Sequence, residues 1–134
     1  MIGQSAFDAY YGLETTLVSE GLVVATLAVD ERHGQPTGVV HGGIYAAIAE
    51  AVASNGTNWS VTPRGDIGLG LSNNTNFLRS AAIPGTLTAT ARAVHSGRTT
   101  WVWEVEIVDA DTRLCAVSRV TIAVRPTGRG PVAA

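Results

Sequence analysis

The chain has 134 residues, of which 46% are hydrophobic and 15% charged, and its formal net charge is −2. This length fits one domain, which can bury a core without disulfides or metal ions. The slight negative charge argues against binding to nucleic acid or to an acidic membrane surface. Charged residues average roughly 25% in soluble proteins, so the deficit indicates that another copy of the chain covers part of the surface.

The cysteine count and the N-terminal sequence indicate which cross-links, metal sites and cellular locations to expect. Cys115 is the single cysteine, so neither an intramolecular disulfide nor a cysteine-based zinc site is expected. The histidines have no metal-like spacing, and no metal ion is predicted. No segment is apolar enough to span a membrane. The N-terminus lacks a basic stretch followed by an apolar run, so a cytoplasmic location is expected.

The first third of the chain predicts one short helix and one β-hairpin. The segment SAFDAYYG favours a helix that ends at Gly12. Two β-rich pieces follow between Glu14 and Asp30, and the turn between them, SEG, is typical of a hairpin. Residues Glu31 to Val40 predict a polar loop, because glycine and proline interrupt them.

The longest helix is predicted in the middle of the chain, in HGGIYAAIAEAVASNG. Apolar and small residues run from Ile44 to Ala53 without a breaker, and Asn55 with Gly56 is typical of a helix C-terminus. A helix that is apolar nearly all round is a buried helix. Its alanines let neighbouring backbones approach closely, as a sheet wrapped around the helix would.

The second half of the chain predicts four strands joined by turns: IGLGLSNNTNFLR, TLTATARAVH, TTWVWEVEIVD and RLCAVSRVTIAVR. In the third, Trp101 and Trp103 share one face while Glu104 and Glu106 lie on the other. The whole pattern predicts an α+β fold, in which an antiparallel meander of five or six strands curves around the long helix. This is the hot-dog arrangement. It occupies residues 1–125 as one domain, and residues 126–134 are expected to form a disordered tail.

Glu50 breaks the apolar pattern of the predicted helix. A lone carboxylate in a buried helix costs several kcal/mol unless it is paired, hydrogen-bonded or protonated. Glu50 is therefore either a satisfied core or interface glutamate or a functional carboxylate.

The predicted helix begins at the motif formed by His41, Gly42 and Gly43. First-turn N–H groups are unpaired and lie at the positive end of the helix dipole, so they could polarise a carbonyl or hold an oxyanion. Alternatively, His41 is only a cap and the glycines permit a sharp turn. Gly42 and Glu50 are eight residues apart, about 12 Å along a helix. They could act on one substrate only if two subunits share the site.

Other candidates stand near these elements or at strand ends. Gln35 could orient a carbonyl or a water, and Ser54, one turn after Glu50, could hydrogen-bond the carboxylate or a water. Four residues at strand ends and turns suit phosphate groups: Arg79, Arg98, Thr99 and Arg125. Three aromatic residues are candidates for the lining of an acyl pocket, although core packing is the more common role: Tyr45, Trp59 and Phe77.

Four tracts carry a resemblance to a known family: VVHGGIYAAIAEAVAS, SNNTNFLR, HSGRTTWVWEVEI and RLCAVSRVTIAVRP. From about Gln35 to Pro126 the chain resembles the hot-dog acyl-CoA thioesterases, and within them the branch of the Arthrobacter-type 4-hydroxybenzoyl-CoA thioesterase. The resemblance implies hydrolysis of an aromatic acyl-CoA ester by a homotetramer, a dimer of dimers with its active sites at the dimer interface. Coenzyme A is then part of the substrate, and no separate cofactor is expected.

The resemblance also implies catalytic roles. Glu50 would be the catalytic carboxylate, acting as nucleophile or as general base on water, and the Gly42 N–H of a partner chain would polarise the thioester carbonyl. Gln35 matches the catalytic glutamine of the family. Ser54 stands where this branch has a threonine that helps to place water, and His41 belongs to the HGG motif.

The same resemblance implies a site for the nucleotide of coenzyme A. Arg79, Thr99 and Arg125 match residues that contact the nucleotide and its phosphates. Arg98 stands where a serine contacts coenzyme A, so it either holds phosphate differently or faces solvent.

Several alternatives stay open from the sequence. The acyl group could instead be 1,4-dihydroxy-2-naphthoyl or of the phenylacetyl type, because the residues of the acyl pocket cannot be identified. A hot-dog hydratase is disfavoured, because no acid accompanies His41 near the start of the helix. A non-catalytic acyl-CoA-binding protein is the alternative from a different class.

Overall fold

The computed structural model describes residues 4–130, which contain two α-helices and one six-stranded sheet. The helices are α1 (Ala6–Tyr11) and α2 (Gly42–Val61). The strands are β1 (Glu14–Ser19), β2 (Leu22–Val29), β3 (Asp66–Phe77), β4 (Gly85–Ser96), β5 (Thr100–Val108) and β6 (Leu114–Pro126). All neighbouring strands are antiparallel, in the order β1-β2-β4-β5-β6-β3. The predicted α+β hot-dog fold is confirmed.

The N-terminal predictions are confirmed residue by residue. The Ser5 hydroxyl accepts a hydrogen bond from Asp8 N–H and caps α1, which ends at Gly12 with a φ of 90°. That left-handed conformation favours glycine, because a side chain would be strained there. The hairpin turn falls at Glu20 and Gly21, between β1 and β2.

The predicted meander is only partly correct. Consecutive strands β4, β5 and β6 are neighbours, but β3 pairs with β6 at the far edge of the sheet. The reason is the long connection between β2 and β3, which contains α2. The helix crosses the concave face of the sheet, so the chain re-enters at the opposite edge.

The predicted end of the long helix at Gly56 is wrong, because α2 continues to Val61. A Cβ atom at Gly56 would lie 2.6 Å from Trp103 Cζ2 and 2.8 Å from Val23 Cγ2, so this glycine lets the helix approach the sheet. Next to it, the Thr57 hydroxyl accepts a hydrogen bond of 2.9 Å from Trp103 Nε1. Helix and sheet are thus in direct contact in the centre of the core.

The C-terminal segment leaves the sheet at Pro126. Thr127 follows, and its N–H and its hydroxyl both donate to the Gly65 carbonyl at 2.9 Å. Of the predicted tail, residues 131–134 lie outside the described part of the chain. Between residues 4 and 130, neither helix is long and apolar enough to cross a membrane.

Candidate active site

Glu50 lies on the face of α2 that is turned toward β3. It is half-buried rather than enclosed, which corrects the expectation of a carboxylate inside a buried helix. Gly70 of β3 leaves room for it, since a Cβ there would overlap with Glu50 Oε1 and lie 3.1 Å from Glu50 Cδ. Asn73 Nδ2 donates to Glu50 Oε2 over 3.4 Å. Partial exposure and this amide donor explain how the carboxylate is accommodated although it forms no ion pair with any residue from 4 to 130.

Glu50 opens onto a cleft of about 330 Å³ between α1 and α2, called here the Glu50 cleft. Its lining includes Ser5, Phe7, Asp8, Glu50, Ser54 and Asn58. Ser54 shares the cleft with Glu50, as their spacing of one helical turn predicts. The cleft combines an aromatic side chain with several polar ones, which suits a ligand that is apolar but carries polar substituents.

Asp8 is a carboxylate of this cleft that the sequence analysis missed. It is only 8% exposed, and its Oδ1 accepts a hydrogen bond of 3.1 Å from the Tyr11 hydroxyl. Burial raises the pKa of Tyr11 far above its usual value, so the phenol stays protonated and remains a donor. Among residues 4–130, Asp8 Oδ2 has no hydrogen-bond partner, and it is free to accept from a ligand.

A second cleft, of about 350 Å³, lies at the N-terminus of α2 and is called here the Gly42 cleft. Its lining includes Gln35, Val40, Gly42, Tyr45, Phe77 and Arg79. The Phe77 ring lies over Gly42, where a Cβ would be 3.2 Å from it. Burial raises the pKa of Tyr45, whose hydroxyl accepts from Ala81 N–H at 3.3 Å. The structure therefore brings Gln35 and Arg79 to the helix N-terminus.

His41 caps this helix and uses two of its first N–H groups. Its Nδ1 accepts from Gly43 N–H at 2.8 Å, and its carbonyl accepts from Ile44 N–H at 3.0 Å. The Gly42 N–H has no acceptor within residues 4–130, and it lies at the positive end of the helix dipole. His41 therefore leaves one backbone donor available to a ligand in the Gly42 cleft.

The two clefts lie on different turns of one helix. Gly42 is the first residue of α2 and Glu50 the ninth, so the rise of the helix separates them by about 12 Å. One chain therefore cannot bring Glu50 and the Gly42 N–H to the same carbonyl group.

Three of the four candidate phosphate-binding residues meet at one end of the sheet. Arg125 Nη1 donates to the Thr99 carbonyl at 3.1 Å, and Arg98 is exposed in the same turn between β4 and β5. Arg79 lies elsewhere: Arg125 pairs with Ile67 near the start of β3, whereas Arg79 follows the end of that strand. The ten residues from Ile67 to the end of β3 at Phe77 alone span roughly 33 Å at 3.3 Å per strand residue, so one chain cannot bring all four to one nucleotide.

The remaining candidates are structural or lie apart. Across the described residues, no group of three or more His, Cys, Asp or Glu side chains could hold a metal ion. Cys115 is buried, and burial raises its pKa, which disfavours the reactive thiolate. His33 is buried, its Nε2 contacting the Tyr11 carbonyl at 2.6 Å and its Nδ1 accepting from Asp30 N–H. Trp59 lines neither of the two clefts.

Comparison with known proteins gives consistent matches. Residues 37–116 match the model of the thioesterase superfamily. A 1,4-dihydroxy-2-naphthoyl-CoA hydrolase of Listeria monocytogenes is 43% identical over 114 residues, which are 85% of this chain and 91% of that protein. A thioesterase structure from Haemophilus influenzae has a TM-score of 0.84 at 35% identity, covering 90% of this chain and 82% of its own. The Escherichia coli PaaI protein of the phenylacetic acid degradation operon has a TM-score of 0.85 at 25% identity, covering 96% and 88%.

Proposed function

The chain belongs to the thioesterase superfamily and is an acyl-CoA thioesterase, and from that premise we propose that it hydrolyses a hydroxylated aromatic acyl-CoA at a site shared by two copies. The observation that carries the proposal is the arrangement on α2. A half-buried carboxylate and a free helix-terminal N–H open onto two separate clefts, about 12 Å apart.

The chemistry needs these two groups. The Gly42 N–H donates to the thioester oxygen and stabilises the negative charge that develops there. Glu50 either takes a proton from water, which attacks the carbonyl carbon, or attacks that carbon itself. In both cases the C–S bond breaks, and coenzyme A leaves as the thiolate and is protonated. Where water attacks, the free acid forms directly; where Glu50 attacks, a mixed anhydride forms, and water then cleaves it to release the free acid and regenerate the Glu50 carboxylate. Gln35 and Ser54 orient the carbonyl and the water, and no metal ion is required.

The exposed edge of the sheet supports a shared site. β3 is the terminal strand, and Leu69 and Leu71 on it are 52% and 63% exposed. Long apolar edge strands are usually covered. In the proposed dimer, β3 pairs antiparallel with β3 of a second copy about a two-fold axis.

Such pairing can place the Glu50 cleft of one chain next to the Gly42 cleft of its partner. Gly42 lies against Phe77 of β3, and Glu50 lies against Gly70 of the same strand. In a register that sets Gly70 of one copy opposite Phe77 of the other, Glu50 of one chain approaches Gly42 of its partner. Association of two such dimers into a tetramer, and a cytoplasmic location, stay predictions from the sequence.

We propose that the nucleotide of coenzyme A binds to arginine side chains at turns next to the strand ends. Arg98, Thr99 and Arg125 form one such group at the end of β6. Arg79, from the Gly42 cleft, would contact the phosphates from a different chain. Guanidinium groups suit this role because they bind phosphate through two parallel hydrogen bonds.

Asp8 supports a hydroxylated acyl group. Its free Oδ2 in the Glu50 cleft can accept a hydrogen bond from a phenolic hydroxyl, and Phe7 can pack on the ring. A 4-hydroxybenzoyl group is the first candidate. The 43% identity to a 1,4-dihydroxy-2-naphthoyl-CoA hydrolase favours that larger hydroxylated ring as the second.

The proposal is tested by thiol release from four CoA esters: 4-hydroxybenzoyl, 1,4-dihydroxy-2-naphthoyl, phenylacetyl and a short aliphatic ester. We expect a hydroxylated ester to react fastest, and E50Q to lower kcat by roughly 10²–10⁴-fold, the range of general-base catalysis. The variant D8N should reduce kcat/KM for the hydroxylated esters and leave phenylacetyl-CoA nearly unchanged. Equal rates for wild type and E50Q would refute the catalytic role of Glu50.

The shared site is tested with proline at Gly42. Proline is tolerated at the first position of a helix, and His41 before it is extended, with a ψ of 135°. The variant G42P lacks the backbone N–H at this position. The control G42A also adds a Cβ atom but keeps the N–H, so only G42P should lose most of its kcat.

Co-expression of G42P chains with E50Q chains then tests whether the site is shared. In a shared-site dimer, half of the randomly formed dimers are mixed and each has one intact site, which restores about one quarter of wild-type activity. If each chain carries its own complete site, mixing restores nothing.

A further inference from the structure

The strand beside Glu50 contains one residue more than its neighbour. In the pairing of β3 with β6, Gly70 lies opposite Ile122, whereas Ser72 lies opposite Thr121. Leu71 therefore has no partner of its own and forms a β-bulge. Because side chains alternate between the two faces of a strand, one extra residue reverses which later positions face the helix.

The bulge turns three polar or aromatic residues toward α2. Asn73, Thr75 and Phe77 lie opposite residues of β6 that are buried under the helix. Asn74 lies opposite the exposed Arg119 on the other face. In a strand without the bulge the faces would be exchanged, and Asn73 would point away from Glu50.

Asn73 contacts the helix at two points. Its Nδ2 donates to the Ala46 carbonyl at 3.0 Å and to Glu50 Oε2 over 3.4 Å. Gly70 leaves space for the other carboxylate oxygen. The Glu50 carboxylate is thus held between two positions of β3, one on each side of the bulge.

A hydrogen-bond chain fixes the orientation of the Asn73 amide. The Thr75 hydroxyl donates to Asn73 Oδ1 at 2.8 Å. Its single proton is then used, so in the 2.8 Å contact with Ser118 the Ser118 hydroxyl is the donor. Ser118 is buried in β6. Because these hydrogen bonds hold the Asn73 Oδ1 atom toward Thr75, the N–H₂ group of the amide faces Glu50.

We propose that Asn73, placed by the bulge at Leu71, is a positioning residue for Glu50. Its amide holds the carboxylate through an uncharged donor, so Glu50 keeps a fixed orientation without a cation beside it. The consequence for the reaction rests on the proposed function of Glu50; the contact itself does not.

The charged groups around Glu50 are few. Asp8 of α1 is the other ionisable side chain that lines the Glu50 cleft. β3 carries no charged residue after Asp66, and the buried residues of β6 that face the helix are uncharged. A carboxylate introduced at Asn73 would therefore act on Glu50 without a nearby cation to screen it.

The test is a pH titration of the Glu50 carboxyl carbon by NMR in protein labelled with ¹³C-glutamate, assigned with E50Q. In N73D the midpoint should rise by roughly 1 pH unit, because a like charge at this distance disfavours ionisation. In N73A it should rise less. The matched controls N74A and N74D, on the opposite face, should leave it unchanged. If N73D and N74D shift the midpoint equally, or if neither does, the proposal is overturned.

Kinetics separate this proposal from the proposed function. We expect N73A to lower kcat about tenfold, with KM unchanged within twofold. If the Asn73 variants shift the Glu50 titration but the wild type hydrolyses no thioester, the proposed function is refuted and the positioning role stands. If the wild type hydrolyses thioesters but the variants shift no titration, the positioning role is refuted and the proposed function stands. If the Asn73 variants do not fold, T75V and T75S decide, since only T75V removes the hydroxyl that orients the amide and should raise the midpoint.

Discussion

The contact between α2 and the sheet at Gly56 can be tested by adding one methyl group. In G56A the new Cβ would lie 2.6 Å from Trp103 Cζ2 and 2.8 Å from Val23 Cγ2. Overpacking of this kind costs about 1–3 kcal/mol, and both neighbours are completely buried, which favours the upper half of the range. Alanine regains about 1 kcal/mol over glycine in a helix. The net effect should be a destabilisation of about 1–2 kcal/mol.

A double-mutant cycle with W103F isolates the contact. Phenylalanine lacks the ring atoms that approach Gly56, but the contact of 2.8 Å with Val23 Cγ2 remains. In the W103F background G56A should therefore cost less, about 0–1 kcal/mol, because the helix propensity of alanine offsets the remaining overlap. The lost hydrogen bond from Trp103 Nε1 to Thr57 is common to both W103F proteins and cancels. The expected coupling energy is about 1 kcal/mol.

The assay is urea unfolding followed by circular dichroism. Protein concentration must be equal throughout, because association stabilises the folded chain by an amount that grows with the logarithm of the concentration. If G56A stabilises the wild type, or acts equally in both backgrounds, Gly56 does not serve the close approach of helix and sheet.

Three further predictions concern the surface of the chain. R125A should raise KM for CoA esters about tenfold and change kcat little; a fall in kcat alone would exclude a nucleotide contact. The N–H of Arg113 lowers the pKa of Asp109 below its usual value of 3.8, so this carboxylate stabilises the fold at neutral pH and the effect disappears as the pH falls through its folded pKa. D109N should therefore lower Tm at pH 7 but not at strongly acidic pH, and an equal loss at both would contradict this account. L71R on the β3 edge should give monomers in light scattering, whereas L17R on the β1 edge should not.

The elements that were predictable from sequence are those whose signal is local. Alternating Trp101, Trp103 and Glu104 identify β5, and the run of alanines identifies a buried helix. The 12 Å offset between Gly42 and Glu50 needs only the rise of a helix, and the structure keeps both residues on α2.

What the sequence could not show depends on contacts between distant segments. Gly56 has the same local pattern whether it ends a helix or lets a helix touch Trp103. The bulge at Leu71 is defined only by pairing with β6, so the choice of Asn73 over Asn74 as the residue facing Glu50 has no local signal. Asp8 lies near Glu50 only because α1 and α2 line the same cleft, and the sequence does not show that these two helices are close.

Gly42 and Glu50 lie on one continuous helix, α2, and the helix fixes the distance between them. The segment between these two residues therefore cannot change in length without moving Glu50. Inserting one residue between Gly42 and Glu50 would move the carboxylate 1.5 Å along the axis and rotate it about 100° around it, away from Gly70 and Asn73. Substitutions in the intervening turn leave this spacing intact, whereas insertions and deletions do not. Length variation in functional homologues should therefore be excluded from the eight residues that follow Gly42.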